Sequence, residues 1–276
     1  MASISAADVA KLRRMTGAGM MDCKKALQEA EGNFDKAVEI IRKKGMAVAN
    51  KRADREAGEG VVLAGTTDDS KFGAMIVLNC ETDFVAKNAD FEKFANDILD
   101  KALENKVESL DQLKETELGG EKIADKVIEQ IGIIGEKLEL SYYECIKAEH
   151  VQSYIHPGNR LATLAGFTKA GIDQQVYKDV AMQIAAMNPL AIDKDDLKQE
   201  DIDRELEIGK EQARREGKPE NLLEKIAMGK LGKFFKENTL LNQEFVKDNK
   251  QTIRQYLSSV EKDLTVTAFS RYTLND

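Results

Sequence analysis

Thr82, Asp83, Phe84 and Val85 set a hydroxyl, a carboxylate, an aromatic ring and a branched apolar side chain on four successive positions. Before them runs the apolar segment Phe72–Leu78, rich in strand-forming side chains. After them Phe91, Phe94, Ala95, Ile98, Leu99 and Ala102 recur at helical spacing. A ring beside an acid at such a corner has the chemistry of a wedge, with apolar bulk to enter a groove and a carboxylate to compete for polar groups inside it. The same residues also fit a plainer reading, in which Phe84 closes the local core and Asp83 opens a helix.

Covalent chemistry finds little support elsewhere. Cys23, Cys80 and Cys145 are far apart and lie among apolar or strand-like neighbours, the pattern of buried reduced thiols. No Cys-x-x-Cys or clustered His/Cys spacing points to zinc, and His150 and His156 are the only histidines. Gly132-Ile-Ile-Gly135-Glu-Lys137 only superficially resembles a phosphate-binding loop and lacks its Gly-Lys-Ser/Thr ending. Gly17-Ala-Gly19 reads as an interhelical turn before it reads as an anion cradle. Acidic pairs are too numerous for any to mark a general acid and base.

The elements that must position the corner follow from periodicity. Ser5 to Asp8 starts a helix carrying Val9, Leu12 and Met15; Thr16-Gly-Ala-Gly19 breaks it. Met20, Cys23, Ala26, Leu27 and Ala30 mark a second helix, Gly32-Asn33 a turn, and Phe34, Ala37, Val38 and Ile41 a third, expected to stop at Gly45. Three short helices in about 45 residues make a marginal core suited to docking. Val61–Ala64 and Phe72–Leu78 form an expected hairpin, covered by the helix after Asp90 and another with Ile123, Val127, Ile128 and Ile131. A second sheet is expected to begin where Leu138, Leu140 and Tyr142 alternate. It continues through 151–156 and 160–167 and regains a strand at 264–274. Ile202, Leu206, Gly209 and Ala213, then Leu222, Leu223, Ile226 and Phe234 beyond Gly217-Lys-Pro219, give an antiparallel helical hairpin of coiled-coil type, either projecting or lying flat.

The fold class is therefore α+β. Its parts are a three-helix docking module at 1–46, a linker at 47–60, a core N-half at 61–136, a core C-half at 137–192, a hairpin arm at 193–245, and a helix and strand returning to the C-half at 246–276. With 276 residues, 33% charged and no tryptophan, the chain has the composition of a helix-rich protein large enough for several such parts. No apolar run approaches the roughly 20 residues of a membrane span and no basic-then-apolar leader is present, so a cytoplasmic location without membrane contact is expected. A net charge of −8 argues against direct nucleic-acid binding. It is uneven: residues 1–57 carry 12 Lys and Arg against 8 Asp and Glu, the remainder 29 against 41. That head fits an acidic protein surface, or is simply a solvated helix face.

The run Met15-Thr-Gly-Ala-Gly-Met-Met-Asp-Cys-Lys-Lys-Ala-Leu27, followed by Thr82-Asp83-Phe84-Val85-Ala86-Lys87, resembles the bacterial translation elongation factor Ts family. The similarity extends through Tyr154-Ile-His156 and the Gly217-Lys-Pro219 turn. The resemblance implies a ubiquitin-associated-like fold for the three helices and a non-enzymatic guanine-nucleotide exchange factor, without cofactor, acting on the GTPase elongation factor Tu. It assigns dislocation of the partner's Mg²⁺ to Thr82, Asp83, Phe84 and Val85, and partner contact to Arg13, Met20, Met21 and His156. Pro157-Gly-Asn159-Arg160 departs from the common family wording after that histidine. Some members are described with a further C-terminal helical element, whereas the last strand-like run here reaches residue 274. Pairing of two copies through the core or the hairpin is left open by the residues. So is an alternative in which the head serves a non-catalytic adaptor that binds another helical or ubiquitin-like protein.

Overall fold

A computed structural model describes residues 4–275. Its helices are α1 (Ala6–Thr16), α2 (Met20–Glu29), α3 (Phe34–Arg52), α4 (Asp83–Ala86), α5 (Ala89–Glu104), α6 (Leu110–Glu115), α7 (Ile123–Ile134), α8 (Gln174–Met187), α9 (Gln199–Arg215), α10 (Glu220–Asn238) and α11 (Ile253–Val260). The strands are β1 (Glu59–Thr66), β2 (Phe72–Cys80), β3 (Glu117–Leu118), β4 (Glu121–Lys122), β5 (Glu139–Lys147), β6 (His150–Ile155), β7 (Leu161–Phe167), β8 (Glu244–Phe245), β9 (Asp248–Thr252) and β10 (Val266–Thr273). Helix and sheet are mixed in the α+β manner, with two three-stranded sheets ordered β1-β2-β5 and β10-β7-β6. Contacts group the chain into two compact units. One comprises Met1–Leu63, Met75–Glu144 and Leu274–Asp276, the other Ala64–Ala74 and Cys145–Thr273.

In the first unit the helices begin where their capping residues allow. Ser5 closes a capping box with Asp8, and its hydroxyl accepts the Asp8 amide at 3.1 Å. Gly17 ends α1 in the left-handed conformation, φ 69°, and Asn33 caps α3 by accepting the Lys36 amide. Val9, Leu12, Cys23, Ala26, Leu27 and Ala37 form the buried centre of these three helices. Met15 and Met20, expected on the inward stripes, are instead about half exposed, because each stands at the edge of the Thr16–Gly19 turn, where the helical stripe runs out of core to face.

Helix α3 does not stop at Gly45. It continues to Arg52, so residues 47–52, expected in a connector, are its last turns. A mid-helix glycine costs about 1 kcal/mol relative to alanine, and here it permits close packing on α7. A Cβ on Gly132 would lie 2.6 Å from the Gly45 Cα. Arg42 reinforces the crossing with ion pairs to Asp125 at 3.0 Å and Glu121 at 3.6 Å. Ordered this way, the three helices do not depend on their own small core alone.

Strand β2 is buried along its whole length, as its near-continuous apolar sequence requires of a central strand. Strand β5 lies beside β2 rather than opening the second sheet as expected. Alternation of Leu138, Leu140 and Tyr142 predicts a strand but says nothing of its neighbour, and the alternation itself slips at Tyr142, where Tyr143 takes the buried position. Near the corner the three strands are pinned by Asn79, whose amide donates to the Glu59 carbonyl at 3.2 Å and whose side-chain oxygen accepts from the Ser141 hydroxyl.

In the second unit β6 and β10 flank β7, both antiparallel to it. Helix α8 packs on this sheet, and Phe167, Tyr177, Val180, Ile184, Leu257 and Val266 belong to the shared core. Met187, expected on the inner face of α8, is exposed at the helix end, where Asn188 turns the chain left-handed. The predicted hairpin is α9 with α10, joined at Gly217–Pro219. Gly209 and Ala213 are buried in the seam, and a Cβ on Gly209 would stand 3.1 Å from the Ala227 Cα.

Candidate functional site

The corner after β2 is a four-residue helix, α4, with no buried residue. Helices of that length are not stable alone, so its shape must come from outside. Thr82 caps it, its hydroxyl accepting the Val85 amide at 3.4 Å. That hydroxyl also donates to Glu136 Oε1 at 2.7 Å, while the Thr82 amide donates to Glu136 Oε2 at 3.0 Å. One residue earlier, Glu81 accepts the Lys137 amide at 2.6 Å and receives Arg52 Nη1 at 2.7 and 2.9 Å. Two adjacent corner residues are thus held by the turn that follows α7 and by the end of α3.

The Lys137 amide and then the Arg52 guanidinium hold the Glu81 carboxyl below its ordinary value. Cys80, fully buried, donates its thiol to the Thr82 carbonyl at 3.1 Å. Burial, with the Glu136 charge second, pushes that thiol up to about 12. Cys80 and Cys23 are free and buried, as expected; Cys145 is only half-buried.

Out of this frame projects Phe84, 83% exposed. The plainer reading, a ring closing the core, does not describe it. Asp83 is half-exposed and ion-paired to Lys87 at 2.6 Å, a bond that holds its carboxyl below the usual range. Thr82 is committed to the clasp and the cap, so its hydroxyl serves position rather than reach. Val85 turns into a groove of about 340 Å³ lined also by Asn88, Phe91, Gln130, Ile133 and Ile134. Ile133 Cδ1 would in turn lie 3.1 Å from a Cβ on Gly17, which places the α1–α2 turn against the wall of that groove.

Arg13, Met20 and Met21 stand at that turn and are exposed, Met21 at 63%. Met15 joins them at 54% and was missed because its helical spacing reads as core. Glu81, Arg52 and Glu136 were missed as well, since no local pattern announces a carboxylate that clamps a segment 54 residues away.

His156 belongs to the other unit. It follows β6 directly, and its amide closes the hairpin on the Leu161 carbonyl at 2.8 Å across the expected Pro157-Gly-Asn159 bend. Its exposed ring meets the Tyr154 hydroxyl at 3.0 Å and edges an apolar groove of about 320 Å³ with Leu161, Met182, Ala185 and Val246. The second histidine, His150, is buried in a stack on Tyr177 with ring centres 3.6 Å apart, and burial lowers its pKa.

Among the described residues no three His, Cys, Asp or Glu side chains stand grouped to hold a metal ion, and no helix is long and apolar enough to cross a membrane. The clasped corner thus carries a bare aromatic ring with a groove at the foot of its neighbour Val85.

The chain matches known proteins along its length. The family model for Elongation factor TS matches residues 81–276. Elongation factor Ts of Porphyromonas gingivalis is 54% identical over 274 residues, 99% of each chain. The same-named proteins of Christiangramia forsetii and Cytophaga hutchinsonii are 51% and 47% identical over 99% and 100% of this chain and 100% of their own. The chain belongs to the elongation factor Ts family, a family of translation elongation factors.

Proposed function

We propose that this chain is a guanine-nucleotide exchange factor that binds elongation factor Tu in its GDP form, disturbs the Mg²⁺ and phosphate site and speeds GDP release in the cytoplasm, so that GTP can bind. The observation that carries the reading is Phe84, bare to solvent on a corner at whose start Glu81 and Thr82 are clasped.

No reactive group is needed, because exchange is a coupling of two binding events. A protein that binds the nucleotide-free GTPase more tightly than the GDP-bound form weakens GDP by the same factor. Mg²⁺ demands near-octahedral oxygen geometry, so a displacement of about an ångström in a ligating segment weakens its hold. Phe84 enters between partner elements and contributes roughly 1.5 to 3 kcal/mol of apolar burial. Asp83, once freed from Lys87, competes for polar groups that order the metal site, and Val85 packs at the base. Arg13, Met20 and Met21, on a three-helix module of ubiquitin-associated type, engage the GTPase domain. His156 and its groove take a second region of the same partner, and two attachments raise the effective concentration of each.

The test is release of fluorescent GDP preloaded on elongation factor Tu. Substoichiometric amounts of this protein are expected to accelerate release catalytically. Binding without acceleration would leave an adaptor and reject exchange.

A further inference from the structure

We propose that Glu136 is a positioning residue for the exchange step: by clasping Thr82 it holds Phe84 in the geometry that acts on the partner. This rests on the exchange reading above and adds to it a residue outside the 82–85 corner.

The argument begins with a four-residue helix that has no core of its own. Among its neighbours, Glu136 reaches it with both carboxylate oxygens, one on the Thr82 amide at 3.0 Å and one on the Thr82 hydroxyl at 2.7 Å. The amide is the backbone at which the corner leaves β2, and the hydroxyl is the cap of α4. One side chain therefore fixes both the direction of the turn and the start of the helix that carries Phe84. A charged acceptor makes these bonds stronger than neutral ones.

Glu136 is itself held. It follows Gly135, whose left-handed φ of 80° ends α7, and precedes Lys137, whose amide is taken by Glu81. Helix α7 is fixed on α3 at the Gly45–Gly132 crossing, and α3 ends in Arg52, the other partner of Glu81. The clasp thus joins the corner to two helices that are already packed on each other. An exposed ring acts as a wedge only if its base does not yield when the ring is pushed, and here the base is a polar bond pair instead of apolar packing.

The position of Glu136 separates two quantities that a general loss of structure would mix. Docking through Met20, Met21 and other surfaces does not use the clasp, whereas the strain delivered after docking does. Removing it lowers the fraction of complexes with the corner in its working geometry, and the saturating rate falls by that fraction.

Two measurements on the full chain test this. The protein has no tryptophan, so Phe84→Trp installs a single reporter on the corner. Adding Glu136→Ala to that variant is expected to lower the reporter's fluorescence anisotropy with no partner present; unchanged anisotropy overturns the clasp as a positioning device. In GDP-release kinetics against elongation factor Tu·GDP concentration, Glu136→Ala is expected to reduce kcat about tenfold while KM stays within about twofold. Glu136→Gln, which keeps one acceptor oxygen, falls between. A wild-type kcat in Glu136→Ala, or a loss confined to KM or melting temperature, rejects the proposal while leaving exchange intact. A wild-type protein that does not accelerate release rejects both.

Discussion

The corner at residues 81–87 and the helical pair α9–α10 are both exposed, and they are ordered by different means. The pair has 17 and 19 residues and a thin apolar seam in which Gly209, Ala213, Leu223, Ala227 and Leu231 meet. Its helices are long enough to propagate once packed, and its polar contacts, such as Arg214 to Glu220, are solvent-exposed additions. The corner has four helical residues and nothing buried, so its order is imported through polar bonds to Glu136 and Arg52 in distant chain. A seam makes shape from local repetition and leaves its surface free to vary. A clasp makes shape at one point and leaves the residue beside it bare, which suits a group that must meet a partner.

The sharpest way to break this comparison is to cut the seam. Leu231→Ala removes a nearly buried side chain from it and is expected to cost about 2 to 4 kcal/mol of stability, read by chemical denaturation, without altering the corner. Phe84→Ala should do the reverse: GDP release slows by roughly 10- to 100-fold, from the loss of about 1.5 to 3 kcal/mol of burial at the partner, while the melting temperature stays put. If Phe84→Ala unfolds the protein, the ring is structural and the contrast fails.

A smaller effect concerns acid. Glu81 is depressed below its ordinary 4.5 by the Lys137 amide and Arg52. Its contribution is therefore complete above that ordinary value and is lost as pH falls through the lower folded value. Glu81→Gln should cost about 1 kcal/mol near neutrality and flatten part of the acid limb of the stability–pH curve. Smallest of all, Arg214→Ala on the hairpin should leave the melting temperature unchanged, since both it and Glu220 are solvent-exposed. A clear drop there would mean that surface charges, not the seam, hold the helices.

Much of this contrast can be read from sequence. Strand-like Phe72–Leu78, helical Phe91–Ala102 and the polar residues between them place the corner, and glycine and alanine at helical spacing place the seam. What pattern cannot supply is the partner of a long-range polar bond: Glu136 and Glu81 look like any of the chain's many acids until the fold brings them to Thr82 and Arg52. The same limit explains Gly45. Its propensity reads as a helix stop, and only the approach of Gly132, from a helix far along the chain, lets α3 run on. It explains β5 too, because alternation specifies a strand and leaves its neighbour to the tertiary structure. The outward turn of Phe84 was one of two readings, decided only by where the core closes.

The thiol at the root of the corner has a consequence for durability. Burial pushes the Cys80 thiol up to about 12, which keeps it protonated near neutral pH. Peroxides and electrophiles attack the thiolate, and this one is also sealed from solvent. Cys80 is therefore a poor target for oxidation, unlike the exposed thioethers of Met15, Met20 and Met21.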